Sequence, residues 1–406
     1  MMKNLNNFPK SLTHAGIFLF ALSLPVSHVP AQFGIGVAVL GWLLDGIIQK
    51  RWQLVWHPFL GVLAFYVGWN ILTAAVSIRP GHSLAAVVDN EWPSLLMLMM
   101  FWTIDDAKFL RTVVAAFFVT AGIAMVYALW PTFGGIEFYR NKTLDWIGGY
   151  YRAVGFYSFY LTFAALAMTV FFFAAAFTLE VKKLRFLHFL LALVSFGAII
   201  GSFARSVWLA LAAGIPLFGF LKNKYFGYGI TAFAIVLVTG AVLVEPTIRY
   251  RAESILDVSQ NQTRLNLWKT SLKIFFAHPV LGIGQDNFDA VFDHYKVEGY
   301  YDTIVHPHND YLTVLVASGL PGLFAFLGMW AIALREGLKG WKQASDPQLR
   351  AILLGGIFSL FGLLIAAFFQ NYYGSFINCL GWWFVVGLVL TAKKLEQRNS
   401  RPQISL

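Results

Sequence analysis

Cysteine is almost missing from this chain, with Cys379 the single example among 406 residues. An intramolecular disulfide is therefore impossible, and cysteine usage says nothing about the redox compartment. Charge is nearly as scarce. Asp, Glu, Lys and Arg make up 12% of the sequence against 58% hydrophobic residues, and the mean hydropathy is +0.65. An ordinary soluble domain is excluded by that balance. Familiar catalytic loops are missing too: there is no P-loop, no Gly-x-Ser-x-Gly elbow and no His-Glu-x-x-His. No internal repeat, low-complexity tract or soluble domain at either end is evident. The formal charge of +10 is dispersed between apolar runs and forms no patch, which argues against nucleic acid as a partner.

Apolar runs dominate what remains, and each is long enough to cross about 30 Å of hydrocarbon as a helix. Lipid supplies no partner for backbone amides, so the spans are expected to be helical and the fold class all-α, a polytopic membrane protein. Candidate spans cover 12–29, 32–49, 58–77, 84–103, 109–131, 156–180, 186–203, 206–221, 226–244, 311–334, 351–370 and 375–392. The first follows Lys3 and Lys10 like a signal peptide. It lacks a small-residue cleavage site and is read as a retained helix. About twelve spans put both termini on one side, and the excess of Lys and Arg in the alternate connections makes that side cytoplasmic. The chain then divides into membrane helices over 1–244, with a short outer loop near 132–155, a long outer loop over 245–310, and membrane helices with a short tail over 311–406. So long a loop is expected to carry helices of its own. Within it, 263–278 is amphipathic, with Leu265, Trp268, Leu272 and Phe275 at helical spacing, and Pro279 ends it. Such a helix suits the outer headgroup layer.

Few residues are placed for polar chemistry. His306 and His308 flank Pro307 directly before the tenth span. Pro307 keeps His306 out of helical geometry, whereas His308 sits at the helix start, where unpaired amides disfavour an imidazolium and leave a proton acceptor. Asp310 opposes this by favouring the charged form. The plainer alternative is a pair of interfacial histidines that cap the helix. Arg205 falls between two apolar runs, with Ser202 and Ser206 as near neighbours, and calls for a cavity or an anionic partner. The plainer reading there is an arginine snorkelling to phosphates. Arg152 and Arg264 lie in loops, where a solvated arginine is ordinary. Asp286, Asp289, Asp293 and His294 fall near one helical face and could offer oxygen ligands to a hard cation, although a solvated acidic face is the commoner use of such spacing. Asp105 and Asp106 read as a helix start.

In this order and setting, the residues resemble the O-antigen ligase family, the polytopic glycosyltransferases that also include O-antigen polymerases and bacterial protein O-oligosaccharyltransferases. Arg264-Leu265-Asn266-Leu267-Trp268, then His278-Pro279-Val280-Leu281-Gly282-Ile283-Gly284 and Asn287-Phe288, is similar to the family's Arg…Trp…His-Pro-x-x-Gly-x-Gly…Asn-Phe stretch. His308-Asn309-Asp310-Tyr311-Leu312, with Gly319 and Gly322, resembles its His-Asn-x-x-Leu…Gly-x-x-Gly signature. Ser202-Phe203-Ala204-Arg205-Ser206 is similar to the family's Ser-Arg turn, with two residues inserted. Arg152-Ala153-Val154-Gly155 looks like its Arg-x-x-Gly element, with Ser158-Phe159 where Pro-Asn is common. The resemblance implies transfer of O-antigen from an undecaprenyl-pyrophosphate donor to lipid A–core, at the periplasmic face of the bacterial inner membrane, with no metal or other cofactor. Arginines with bidentate geometry would then neutralise the leaving pyrophosphate, which assigns Arg152, Arg205 and Arg264 to the donor. His308 would take the acceptor's proton, with His306, Asn309 and Trp268 in support. Trp268, Tyr300, Tyr301 and Tyr372 are candidate sugar-stacking aromatics.

Within the family the ligase branch is favoured, because one outer loop dominates where polymerases often use two, and because the chain stops soon after Lys394. An O-antigen polymerase or a protein O-oligosaccharyltransferase is the nearer alternative, since each uses the same donor. From another class, an anion transporter would line its pathway with Arg205. It should also carry polar residues deep in several spans, and apart from the fourth span, with Asp89, Asn90, Glu91 and Pro93, few are present.

Overall fold

The apolar runs are helices, and the computed structural model of the chain describes residues 2–50, 52, 54–301 and 305–399. Arg51 and Arg401, two of the basic residues behind the expected orientation, lie outside the described residues. Helices α1 (Met2–Ser23) and α2 (His28–Gln49) form an antiparallel hairpin with touching backbones. A Cβ on Gly34 would collide with the backbones of Gly16 and Phe20, which is the small-residue packing that lipid-facing helices rely on. α3 (Pro58–Ala75) precedes α4 (Pro80–Glu91) and α5 (Ser94–Thr103), which share the fourth span and part at Trp92 and Pro93. Asp106 caps α6 (Ala107–Leu129) at the expected helix start by accepting from the Lys108 amide at 2.9 Å, whereas Asp105 pairs with Arg398.

The short outer connection holds one helical turn, α7 (Pro131–Gly134), and two antiparallel hairpins, β1 (Ile136–Glu137) with β2 (Lys142–Thr143) and β3 (Trp146–Ile147) with β4 (Tyr150–Tyr151). Four long helices follow: α8 (Tyr160–Glu180), α9 (Arg185–Ser202), α10 (Arg205–Lys222) and α11 (Lys224–Val244). The long connection carries α12 (Pro246–Leu256), α13 (Gln262–Ala277) and α14 (Phe288–Tyr295). α15 (Asp310–Gln343), α16 (Pro347–Ala366) and α17 (Phe376–Asn399) complete the chain. Among the described residues, eleven helical stretches are long and apolar enough to cross a bilayer. α1 is the expected span that falls short of that measure, although it packs along α2. The architecture is an all-α polytopic membrane protein.

α8, α16 and α17 form the centre and are buried along most of their length, while α11 is exposed almost throughout. Trp330, Trp382, Trp383 and Tyr373 make the densest part of the core. Gly355 lets α16 approach the backbone of α8, because a Cβ there would press on Phe173.

One crossing positions the site. α15 bends at Gly319, whose φ of 63° and ψ of −168° break the helix, and Pro321 has no amide hydrogen to continue it. The carbonyls of Val316 and Ala317 therefore lose their helical partners. The turn after α13 fills them: Ile283 donates to Val316 and Gly284 to Ala317, both at 2.9 Å, and Leu320 donates to the Pro279 carbonyl at 3.0 Å. Gly282 and Gly284 adopt positive φ, and a Cβ on Gly282 would strike the Ala317 carbonyl. The two glycine motifs thus dock backbone to backbone and fix the long connection on α15.

α13 is helical where expected, and the structure shows which face it turns to the rest of the chain. Asn266, Leu267, Thr270, Ser271 and Ile274 are buried. Leu272 and Phe276 are exposed, and Trp268 and Phe275 are half-buried. Small polar side chains fit closely against the α14–α15 side through Phe288, Phe292 and Val316, which leaves the apolar stripe outward for lipid.

Candidate active site

Four arginines converge beside α12. Arg205 is the first residue of α10, after a turn in which Phe203 takes a left-handed φ of 52°. Its Nη1 donates to the Ser254 carbonyl at 2.5 Å and to Ser254 Oγ at 3.2 Å. Arg152 follows β4, donates to the Ser202 carbonyl at 3.3 Å and stacks on the Tyr160 ring at 3.9 Å. Arg264, in the first turns of α13, lies close enough to bear electrostatically on both Arg205 and His306. The fourth is Arg251 on α12, which no sequence motif singled out. Its Nη2 donates to the Phe203 carbonyl at 2.9 Å, and its Nε is buried without a hydrogen-bond partner. Burial, with Arg152 and Arg205 alongside, pulls its pKa down to about 10. Among the described residues, no Asp or Glu pairs with Arg152, Arg205 or Arg251. Repelling cations held together without a counter-ion form a site for an anion.

Arg205 and Arg264 line a cleft of about 230 Å³ with Ser206 and Asn261, and its remaining walls, among them Leu209, Ile255, Leu265, Trp268 and Phe369, are apolar. The arrangement suits an anionic head on an apolar tail. Trp268 also donates from its indole to the Pro307 carbonyl at 3.0 Å, which ties α13 to the histidine segment.

His308 adopts a left-handed φ of 49°, uncommon for a residue with a Cβ. Its amide donates to His306 Nδ1 at 3.2 Å, so that nitrogen carries no proton. The two rings lie 3.8 Å apart. His308 Nδ1 meets Gln370 Oε1 at 2.6 Å. A carbonyl oxygen only accepts, so Nδ1 carries a proton, and in the neutral ring Nε2 is then the acceptor. Burial, His308 and Arg264 pull His306 down to about 4, which leaves it neutral.

Asp310 plays a different part from the one expected, in which it favours a charged His308. Its carboxylate accepts from the amides of Tyr372, Tyr373 and Gly374 at 2.8, 2.8 and 3.0 Å. With its oxygens so engaged, it anchors the segment after α16 that presents Gln370. Asn309 caps α15 by accepting from Leu312 at 3.0 Å, and its own amide donates to Asn371. Tyr372 is fully buried on Ser206 Oγ at 2.8 Å and is closed to a sugar, and Tyr301 is half-buried against Phe292. Trp268 lines the cleft and Tyr300 is exposed. The aspartates weighed as oxygen ligands each have a side-chain partner: Asp286 meets His82 at 2.9 Å, Asp289 pairs with Arg79, and Asp293 meets Lys296 at 2.7 Å.

Residues 189–327 match the family model described as O-antigen ligase. This segment is similar to an O-antigen ligase domain. It begins in α9, carries Arg205, Arg251, Arg264, Trp268, both histidines and Asn309, and ends within α15. Arg152 and Gln370 reach the domain's site from outside the matched stretch. No curated protein matches the chain.

Arg251 and Gln370 are the site residues that sequence reading missed. Glu245 and Pro246 did signal a helix start, and a helix over 246–256 sets Arg251 and Ser254 on one face. Gln370 closes an otherwise apolar run, a weaker cue.

Proposed function

We propose that the protein is a lipopolysaccharide O-antigen ligase. It transfers O-antigen from undecaprenyl pyrophosphate to a hydroxyl of lipid A–core at the periplasmic face of the inner membrane, with both termini cytoplasmic. Residues 245–310 are then the periplasmic catalytic loop between the membrane segments 1–244 and 311–406. The observation that carries this reading is the arginine cluster at the mouth of an apolar cleft, next to a histidine whose Nε2 is held as an acceptor. Arg152, Arg205, Arg251 and Arg264 bind the pyrophosphate oxygens, and the apolar walls take the start of the isoprenoid chain.

The acceptor hydroxyl gives its proton to His308 Nε2 as its oxygen bonds to the anomeric carbon. The bond from that carbon to the phosphate oxygen breaks, and the electron pair leaves with undecaprenyl pyrophosphate. Charge develops on that oxygen, where fixed guanidinium groups in a poorly hydrated cleft stabilise it most strongly. A positioned base contributes about 10²–10⁴-fold. The arginines supply positive charge at the leaving group, the task a divalent cation performs in many transferases. A transporter reading gains little, because Arg205 heads α10 at the end of its span and does not sit in mid-membrane.

The test is reconstitution of the purified protein with lipid-linked O-antigen and rough lipopolysaccharide. Transfer is expected, is lost in His308→Ala and survives EDTA. Activity that persists in His308→Ala, or that EDTA abolishes, overturns the mechanism. Transfer only to a second lipid-linked glycan makes the protein a polymerase instead.

A further inference from the structure

A second cavity, of about 330 Å³, lies on the other side of the histidines, and its walls differ in kind from those of the arginine cleft. Asp89 and Glu91 on α4, Gln285 in the turn after α13, His306, and Asn371 after α16 line it. The volume is within the range of small-molecule sites. Several of its oxygen acceptors are unfilled. Glu91 is 7% exposed, and its Oε2 accepts from the Tyr373 hydroxyl at 2.7 Å while Oε1 accepts from no described group. Gln285 is 9% exposed, and its Nε2 donates to Asn70 Oδ1 at 3.0 Å and Ser318 Oγ at 3.3 Å while its Oε1 meets no donor among the described residues. Asp89 makes no hydrogen bond or ion pair among the described residues.

Acceptors that line a cavity without a donor among the described residues are open to donors from a ligand. Asp89 and Glu91 also sit within a candidate membrane span, Pro80–Thr103, where carboxylates are rare and mark function. The neighbouring Asp286 and Asp289 are matched by His82 and Arg79, but no cation meets Asp89 or Glu91 among the described residues.

We propose that this cavity binds the acceptor as a polyhydroxylated sugar unit that carries no phosphate, so that donor and acceptor approach the histidine pair from opposite sides. The inference rests on the transferase reading above. Sugar hydroxyls supply the donors that Asp89, Glu91 and Gln285 lack. The carboxylates repel phosphate, which directs the pyrophosphate donor to the arginines and the neutral sugar here. The partition between the two spaces is made of shared segments. Trp268 lines the arginine cleft and holds Pro307, which lines the cavity; Phe369 lines the cleft and Asn371 the cavity, with Gln370 between them on His308. His306 lines the cavity in ring contact with His308.

The full-length protein in nanodiscs tests this with Asp89→Asn and Asp89→Ala, both on an exposed side chain whose loss leaves the fold intact in a melting control. With lipid-linked O-antigen and rough lipopolysaccharide, the acceptor KM should rise about tenfold, the effect of one charged hydrogen bond. The donor KM should stay within about twofold. Independently of transfer, saturation-transfer NMR with deacylated lipid A–core oligosaccharide should show contact with wild type, lose it in Asp89→Ala, and be unaffected by inorganic pyrophosphate. An unchanged acceptor KM, a shift in donor KM instead, or displacement of the oligosaccharide by pyrophosphate overturns the proposal while leaving the ligase reading in place. If wild type transfers nothing, the ligase reading fails and the NMR arm alone decides the cavity.

Discussion

Replacing Arg251 with glutamine should affect stability and donor binding in opposite directions. Glutamine keeps an amide donor for the Phe203 carbonyl and removes the charge that Arg152 and Arg205 repel. The drop of its pKa from the ordinary arginine value to about 10 corresponds to roughly 3 kcal/mol against the folded cation. The side chain keeps part of its surface in solvent, and screening reduces that to about 1–2 kcal/mol. The sign follows from linkage. The folded value lies below the unfolded one, so at pH 7 both states are protonated and the folded state bears the whole penalty, which is relieved only as pH rises through about 10. Without a bound anion, Arg251→Gln should therefore match or exceed wild type by about 1 kcal/mol in tryptophan-monitored unfolding. With lipid-linked donor, the loss of one charged contact should raise the donor KM about 10- to 100-fold. Inorganic pyrophosphate should stabilise wild type more than the variant, since only binding to the folded state raises stability. A variant that is less stable than wild type, and whose donor KM is unchanged, would falsify the anion-site argument.

Gln370→Leu should lower kcat about 10- to 100-fold with little change in either KM, because His308 loses the acceptor that holds its proton on Nδ1; a wild-type pH–rate profile in the variant would count against that role. His306 titrates near 4 when folded, against about 6.5 when unfolded. The unfolded chain therefore takes up the proton first, and stability should fall between pH 6.5 and 4 by an amount that His306→Asn removes, measured by unfolding at each pH. Trp268→Phe keeps the ring in the cleft wall but loses the bond to Pro307, so kcat should fall several-fold with the melting curve unchanged. Gly319→Ala places a Cβ at a positive φ against the Pro279 and Val280 carbonyls and should cost about 2–4 kcal/mol, read by thermal unfolding.

Sequence alone determined the membrane class and nearly every span, because the length of an apolar run is a one-dimensional property measured against the thickness of lipid. It also indicated the helix over 263–278 in the long connection, since Pro279 and the glycines that follow punctuate the chain locally. His308 and Arg205 were legible in the same way, as polar groups with few polar neighbours, whereas Arg264 was singled out by the family resemblance alone. Tertiary structure alone decided which groups meet. Arg205 bonds Ser254, 49 residues on, and His308 meets Gln370, 62 residues on; no local pattern encodes such pairings. Periodicity marked an apolar stripe on α13, but only the packing against α14 and α15 decided what the opposite face meets, with Asn266, Thr270 and Ser271 buried there while Leu272 and Phe276 stay outward. The same packing brought Arg251 to the cluster and turned Asp310 from a neighbour of His308 into the anchor of the segment that positions it. Charge and hydropathy can be read along the chain, whereas the fate of each polar group depends on the partner that folding puts beside it.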